Sequence, residues 1–343
     1  MKNFNFLITD DNSVGLYNTE VKDIYHSRSG AYKEAYDKFV EPILSLNTFK
    51  NRNKIKVLDI CYGIGYNTKC LLNTIDSCIQ IEIDALEYDK NLVCLSPLIK
   101  DNIKDDELKI FLIYQLLKND INIVELENII QNTNNDFLTQ NICNIIKKMI
   151  SQGYKYNPQD DYNSFLHNIY YNYISYSMNN GLKSTKYTNS SINYYFDDAR
   201  KTIKLLNNTY DIVFLDAFSS QKDPTLWTIH FLSEVKSKMN DNSVLVSYSK
   251  STPFRSALIE LGFYVGKTFL DGVDMGTIAS INKENIINTL SDYDLELLST
   301  RSGITFKDEN LNLSGTKILG NREIEQKTSS RMSHTAFLKK YSK

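Results

Sequence analysis

A carboxylate at the carboxyl end of a buried strand is a candidate for chemistry as well as for surface, and Asp216 is so placed. Ile212, Val213, Phe214 and Leu215 form a short apolar run of the kind buried on both faces, and the run stops at the acid. In an open α/β sheet the carboxyl ends of strands are where ligands bind. A second acid, Glu87, closes the run from Ile79 to Leu86, and the loop CYGIGYNT with Gly63 and Gly65 precedes it. Two glycines that admit a ligand to the backbone, then an acid at the next strand end, suit a bound ribose. Thr68 stands where a dinucleotide fingerprint needs a small residue, so an adenosyl ligand without a pyrophosphate fits better than a nicotinamide or flavin. A plainer reading stands beside these: a strand-end Asp often bonds only its own loop, and a lone Trp227 is ordinarily core.

The elements that must position these residues are read from periodicity. After Asp216 a small polar loop with Lys222 leads to a helix that Asp223 can N-cap, with Pro224 in its first turn and Trp227, Phe231, Leu232 and Val235 on one face. Residues Asn3 to Thr19 read as a hairpin turning at Asp10 to Ser13. Ala31, Ala35, Phe39 and Ile43 fall at steps of four, one face of a helix, with Tyr25, His26, Ser27 and Gly30 before it; His26 reads as a turn histidine. Lys54 to Asp59 is a buried strand that opens the glycine loop, with a helix through Leu72 beyond it. From about Pro97 to Thr188 the strand pattern gives way to helical spacing, as in Ile110, Ile113, Leu116 and Leu117, then Ile142, Ile145, Ile146 and Met149. This reads as an inserted helical subdomain. Its tyrosines, among them Tyr154, Tyr156, Tyr162, Tyr170, Tyr171, Tyr173 and Tyr176, either pack on that subdomain or stack on bases. The sheet resumes at INYYFDDARKTIKLL, with Asp197 and Asp198 at a strand end. Ser243 to Tyr248 is a fifth strand, Pro253 starts a helix through Leu261, and Phe263 to Phe269 with Thr277 to Ile281 form a closing hairpin. The sum is an α/β fold with seven strands. The tail from Ser291 reads as irregular and basic: from Asn321 six cations oppose Glu323 and Glu325.

Composition sets outer bounds. With 343 residues, 42% hydrophobic and 23% charged, the chain can bury a sizeable core. A net charge of -2 gives no whole-molecule attraction to nucleic acid, so a polyanion must be held by a local patch. The five cysteines, Cys61, Cys70, Cys78, Cys94 and Cys143, show no metal-ligand spacing, which predicts no metal and no disulfide. The first residues lack the apolar stretch of a signal peptide, and no apolar run is long enough for a bilayer; a cytoplasmic protein is expected.

The chain resembles the class I methyltransferases that use S-adenosylmethionine, and more narrowly the MnmC-type tRNA methyltransferases. The matching segments are YHSRSGAYKEAYDKF, VLDICYGIGYNT, ALEYD, FDDARKTIKLL, YDIVFLDAFSSQKDPTLWT, LGFYVG to GTIAS, and RSGITFKDENL; the FLDAF to LWT block is the specific one. The resemblance implies a Rossmann-like sheet, mostly parallel, with an antiparallel last hairpin and a helical insertion. It implies an N-terminal hairpin and helix (1–50) over the cofactor, a core (51–290) interrupted at about 97–188, and a basic extension (291–343). Carried over by position, Gly63, Gly65 and Asn67 would line the methionine end of the cofactor and Glu87 would bind the ribose. Asp198 would meet the adenine amino group, and Asp216 would face the substrate amine. Ser27 and Glu34 lie in the matching N-terminal segment and are carried with it. The implied reaction completes 5-methylaminomethyl-(2-thio)uridine at the tRNA wobble position, so the partners are the tRNA anticodon loop and the upstream enzymes that install the aminomethyl group.

The sequence departs from the family at Ser220, where proline is usual, and at Cys61-Tyr62 before the first glycine. The flavin-dependent oxidase domain of the two-domain relatives has no counterpart. Two rivals stand: a polyamine aminopropyltransferase, which also sets a strand-end Asp against an amine, and a non-catalytic RNA-binding protein with a decayed methyltransferase fold. Putrescine turnover would favour the first, and absence of cofactor binding the second.

Overall fold

Ten strands organise the chain in a computed structural model that describes residues 4–25, 30–103, 105–174 and 186–341. Three form a small antiparallel sheet: β1 (Phe4–Ile8), β2 (Val14–Asn18) and β3 (Asp23–Ile24). The other seven, β4 (Lys54–Ile60), β5 (Gln80–Leu86), β6 (Ser191–Tyr195), β7 (Tyr210–Leu215), β8 (Met239–Ser247), β9 (Tyr264–Leu270) and β10 (Val273–Ser280), form one sheet in the order β6-β5-β4-β7-β8-β10-β9. The pairs β5/β6, β4/β7 and β7/β8 are parallel, and β10 runs antiparallel to both β8 and β9. The expected mostly parallel sheet with an antiparallel last hairpin is thus present. Two compact units share the chain: Met1–Tyr36, Arg52–Ile55 and Tyr62–Phe196, then Asp37–Asn51, Lys56–Cys61 and Asp197–Lys343.

In the first unit the expected hairpin turns where Asp11 accepts from the Thr9 hydroxyl at 2.7 Å and the Ser13 backbone at 2.9 Å. The Tyr66 hydroxyl donates to Val14 O at 2.9 Å, fixing the hairpin to the helix Tyr66–Thr74 that leaves the glycine loop. The stretch read as a helical insertion holds the helices Asp106–Lys118, Ile123–Gln131, Gln140–Ser151 and Tyr162–Asn172. Its tyrosines mainly pack. Tyr162 is buried, its ring 5.4 Å from that of Tyr114, and Tyr154 lies 6.0 Å from Tyr173. Tyr171 is exposed, and Tyr176 lies outside the described residues.

Three buried charges hold this unit together. Asp101 accepts from Lys69 at 3.0 Å and from Lys109 at 3.1 Å, with its side chain fully covered. Lys69 also donates to Ser96 O at 3.2 Å and lies 4.4 Å from the Tyr66 ring centre. Lys109 donates to Thr139 Oγ1 at 2.8 Å. Burial pulls the Lys69 ammonium below its ordinary range, although Asp101 opposes this.

Three expectations need correction. The face Ala31, Ala35, Phe39 and Ile43 is buried as expected, but the helix is not continuous: a π-helical turn, Tyr36–Val40, separates Ala31–Ala35 from Glu41–Leu44. Pro42, which has no N–H for the regular ladder, follows that widened turn. Asp223 does not cap the long helix. It accepts from Thr225 N at 3.0 Å and closes a short 3₁₀ turn, Thr225–Trp227, after which Thr228 N-caps Ile229–Ser237. The tail is not irregular, for it forms the helices Asp292–Ser299, Gly315–Thr328 and His334–Tyr341. Ser291 and Asp294 make a capping box on the first, and Phe337 of the last is buried with its ring 5.0 Å from Tyr293. At the sheet's edge, Thr289 bridges to Gly266 of β9, and a Cβ at Gly266 would stand 2.5 Å from Asn288 O.

Replacing Asp101 with Asn leaves two buried ammonium groups without a counter-charge. The expected loss is about 3–5 kcal/mol, read as a lower urea midpoint, and adding Lys69→Met should recover part of it.

Candidate active site

The loop between β4 and the helix Tyr66–Thr74 carries three left-handed residues: Cys61 at φ 66°, Gly63 at φ 57° and Gly65 at φ 77°. The glycines take this conformation freely, while Cys61 bears a cost of about 1–2 kcal/mol. Gly63 N–H donates to Glu87 Oε2 at 2.8 Å, and Asp89 N–H donates to Oε1 at 3.0 Å. Glu87 therefore stands at the end of β5 with both oxygens oriented by backbone donors and with further lone pairs to offer a hydroxyl. Burial raises its carboxyl above the ordinary value; the Asp89 and Gly63 N–H groups oppose this only in part. Gly65 has a steric reason to be glycine as well. A Cβ there would collide with the Tyr62 phenol and stand 2.7 Å from Ser96 Oγ. Asn67 is buried in the first turn of the helix, and Glu34 is half-buried in Ala31–Ala35. Ser27 lies outside the described residues, as does His26.

In the second unit Asp216 follows β7, half-buried, and its N–H donates to Ile60 O at 3.2 Å. Ile60 pairs with Leu215, so the acid stands beside the residue from which the chain turns into Cys61. Two aromatic side chains fix the peptide that follows. Trp227 Nε1 donates to Phe218 O at 2.7 Å, and the Tyr248 hydroxyl donates to Ala217 O at 2.8 Å. Their rings meet edge to face at 6.2 Å, and Trp227 meets Phe254 the same way at 4.9 Å. Ser220, at the family's usual proline position, is buried in this loop.

Asp198 N-caps Ala199–Leu205 and takes the Arg200 guanidinium on both oxygens, with Nη2 at 2.7 Å from Oδ2 and Nε at 3.1 Å from each oxygen. Burial acts to raise its carboxyl, but the Arg200 bonds prevail and hold it below the ordinary range. Arg200 reaches on to Asp308 at 3.2 Å and Leu313 O at 2.8 Å, and Asp308 N–H donates to His230 Nδ1 at 3.1 Å. Arg200, Asp308 and Tyr248 were not singled out by sequence reading. Arg200 and Asp308 do lie in the segments FDDARKTIKLL and RSGITFKDENL, but nothing local signals a pairing so distant in the chain.

Among the described residues no group of His, Cys, Asp and Glu could hold a metal ion, and no helix is long and apolar enough to cross a membrane. The donors of the first unit fit an adenosyl cofactor: a carboxylate braced at a strand end beside a two-glycine turn.

Residues 160–272 match the sequence profile of a family described as S-adenosyl-L-methionine-dependent methyltransferase. The solved structure of MNMC2 from Aquifex aeolicus superposes with a TM-score of 0.65 and 24% identity, over 95% of this chain and 86% of that one, a likeness of fold. A seven-stranded sheet of this order with that profile makes the protein a class I S-adenosylmethionine-dependent methyltransferase of the MnmC type in fold, and its cofactor is S-adenosylmethionine. The chain belongs to one family with the uncharacterized protein MJ0670 of Methanocaldococcus jannaschii, being 32% identical to it over 317 residues, 92% of this chain and 70% of the relative.

Gly65→Ala should weaken cofactor binding at least tenfold by calorimetry with the circular dichroism spectrum retained, because the turn cannot keep both its φ and the Tyr62 phenol. Gly320→Ala, in a helix with nothing near the added methyl, should bind normally and unfold at a slightly higher temperature.

Proposed function

We propose that this methyltransferase acts on a primary amine, the 5-aminomethyl group of a (2-thio)uridine at the tRNA wobble position, and forms the 5-methylaminomethyl product. The observation that carries the reading is Asp216, set at the end of β7 with the next two peptide carbonyls held by Tyr248 and Trp227. These residues belong to the FLDAF to LWT block that resembles the MnmC-type enzymes, and the likeness to MNMC2 supports it.

S-adenosylmethionine supplies, when bound, a methyl group on a positively charged sulfur. The chain's task is to position a neutral amine. An alkylammonium has no lone pair, so Asp216 accepts a hydrogen bond from the nitrogen, orients it, and takes a proton directly or through water. Glu87 accepts the ribose hydroxyls, Asp198 the adenine amino group, and Gly63, Gly65 and Asn67 line the methionine end. The resemblance carries Ser27 and Glu34 as further cofactor-binding candidates. The rigid loop after Asp216 keeps the carboxylate from following a misplaced acceptor. The upstream enzymes supply the aminomethyl group, and the reaction is cytoplasmic.

Asp216→Ala should keep cofactor affinity and lose about 10²–10⁴-fold in methyl transfer to tRNA carrying aminomethyluridine. Near-normal turnover by that variant would refute the assignment. Because Glu87 titrates above the ordinary 4.5, cofactor affinity should decline on acidification at pH values where an ordinary glutamate is still ionised. A calorimetric pH series on Glu87→Gln should show weaker binding without that decline.

A further inference from the structure

A chain of net charge -2 that takes a polyanion needs a local concentration of cations, and the expected place was the basic end of the chain. Three of those six cations are engaged at home. Lys327 pairs with Glu323 at 2.6 Å, Lys340 pairs with Glu296, and Arg322 donates to Ile304 O at 2.6 Å and Ser302 O at 2.8 Å.

A different set lies around the Asp216 loop, within the second unit. Lys222 is exposed six residues beyond Asp216, in a turn where its N–H donates to Ser219 O at 2.8 Å. Lys317 is exposed in the first turn of Gly315–Thr328, and a Cβ on Gly315 would stand 3.1 Å from the ring of Pro224. Among the described residues neither ammonium has a carboxylate partner. Lys250 follows β8 and is exposed; among the described residues its Nζ donates only to Asp274 O, at 3.1 Å, so its charge is not neutralised there. Lys38 stands 5.8 Å from the ring centre of Tyr248, the same ring whose hydroxyl holds Ala217 O. The local acids offset this only in part. Asp274 is taken up by Arg255 at 3.4 Å and Lys267 at 4.0 Å, while Asp223, hydrogen-bonded by the Thr225 hydroxyl, keeps its charge.

We infer that Lys222, Lys250 and Lys317 form a phosphodiester-binding rim around Asp216, and that RNA is held there instead of by the terminal basic segment. This rests on the reading of the substrate as RNA. Lys222 lies in the loop that carries the amine-holding acid, Lys250 two residues after the Tyr248 that holds that loop, and Lys317 two residues after the Gly315 that packs on Pro224. Phosphates on either side of the target nucleoside would be fixed while its base is turned inward.

The test is the affinity of an anticodon stem-loop RNA, by fluorescence anisotropy across a salt series. It compares the wild type, the variant Lys222→Ala/Lys250→Ala/Lys317→Ala, and the variant Lys327→Ala/Lys340→Ala, with cofactor calorimetry checking that each is folded. The rim variant should bind about tenfold more weakly at low salt, with a log-log salt slope shallower by about 2, since each phosphate contact contributes about 0.7–0.9. The terminal variant should stay within about twofold of wild type. A rim variant with unchanged affinity and slope, a wild type that binds no RNA, or a loss confined to the terminal variant would overturn the inference. Methyl transfer to aminomethyluridine is followed in parallel. A wild type that binds RNA through the rim but transfers no methyl would sink the substrate reading and leave the rim standing.

Discussion

The parallel register of β4 against β7 is the constraint on which the acceptor side of the site depends. Val57, Leu58 and Ile60 of β4 and Ile212 to Leu215 of β7 are completely buried, and each such side chain contributes about 1.5–3 kcal/mol. The ladder runs from Val57 opposite Ile212 to Ile60 opposite Leu215, and the N–H of Asp216 adds one more bond to Ile60 O. Both strands therefore end level. Slipping the register by one residue would turn the apolar set of β7 over and carry the carboxylate to another height. The burial energy also exceeds the cost of about 1–2 kcal/mol for a left-handed Cys61, so the strained residue persists at the start of the glycine turn.

The two acids proposed to meet the cofactor are tuned in opposite directions by their surroundings. Among the described residues Glu87 has backbone donors but no cation, and desolvation leaves it easier to protonate. Asp198 has Arg200 on both oxygens and stays ionised. Arg200 in turn joins the start of Ala199–Leu205 to Asp308, and the backbone of Asp308 is bonded to His230. One guanidinium thus ties the helix beginning at Asp198 to the segment Ile304 to Leu313. The tail is part of this second unit through packing and hydrogen bonds as well as through charge.

Much of this was legible in the chain because burial on both faces leaves a plain trace. The runs at Val57, Ile81 and Ile212 could only be strands, and the glycines at 63 and 65 announced a turn whose φ values are indeed positive. Capping was harder to read. Asp223 and Thr228 are both competent caps a few residues apart, and the 3₁₀ turn between them is settled by Trp227 reaching back to Phe218 O, a contact local propensity does not encode. The terminal helices were missed for a similar reason. Gly315–Thr328 buries only Ile318, so its face lacks the apolar stripe that periodicity detects, and Arg322 covering the Phe306 ring at 4.7 Å substitutes for it. Arg200 and Asp308 are joined by the fold alone.

The crossing of the chain at Thr289 has a bearing on how the molecule behaves among its own copies. β9 is the outermost strand of the large sheet and shows Tyr264 and Phe269 to solvent, the kind of border along which sheets of separate molecules can join. The bridge from Gly266 to Thr289, with Lys267 N–H donating to Asn288 O at 2.9 Å, occupies the middle of that border with the protein's own backbone. Only a residue without a side chain lets the two backbones come so near. A single glycine thereby lets the protein's own backbone close the middle of a border that would otherwise stand open to another sheet.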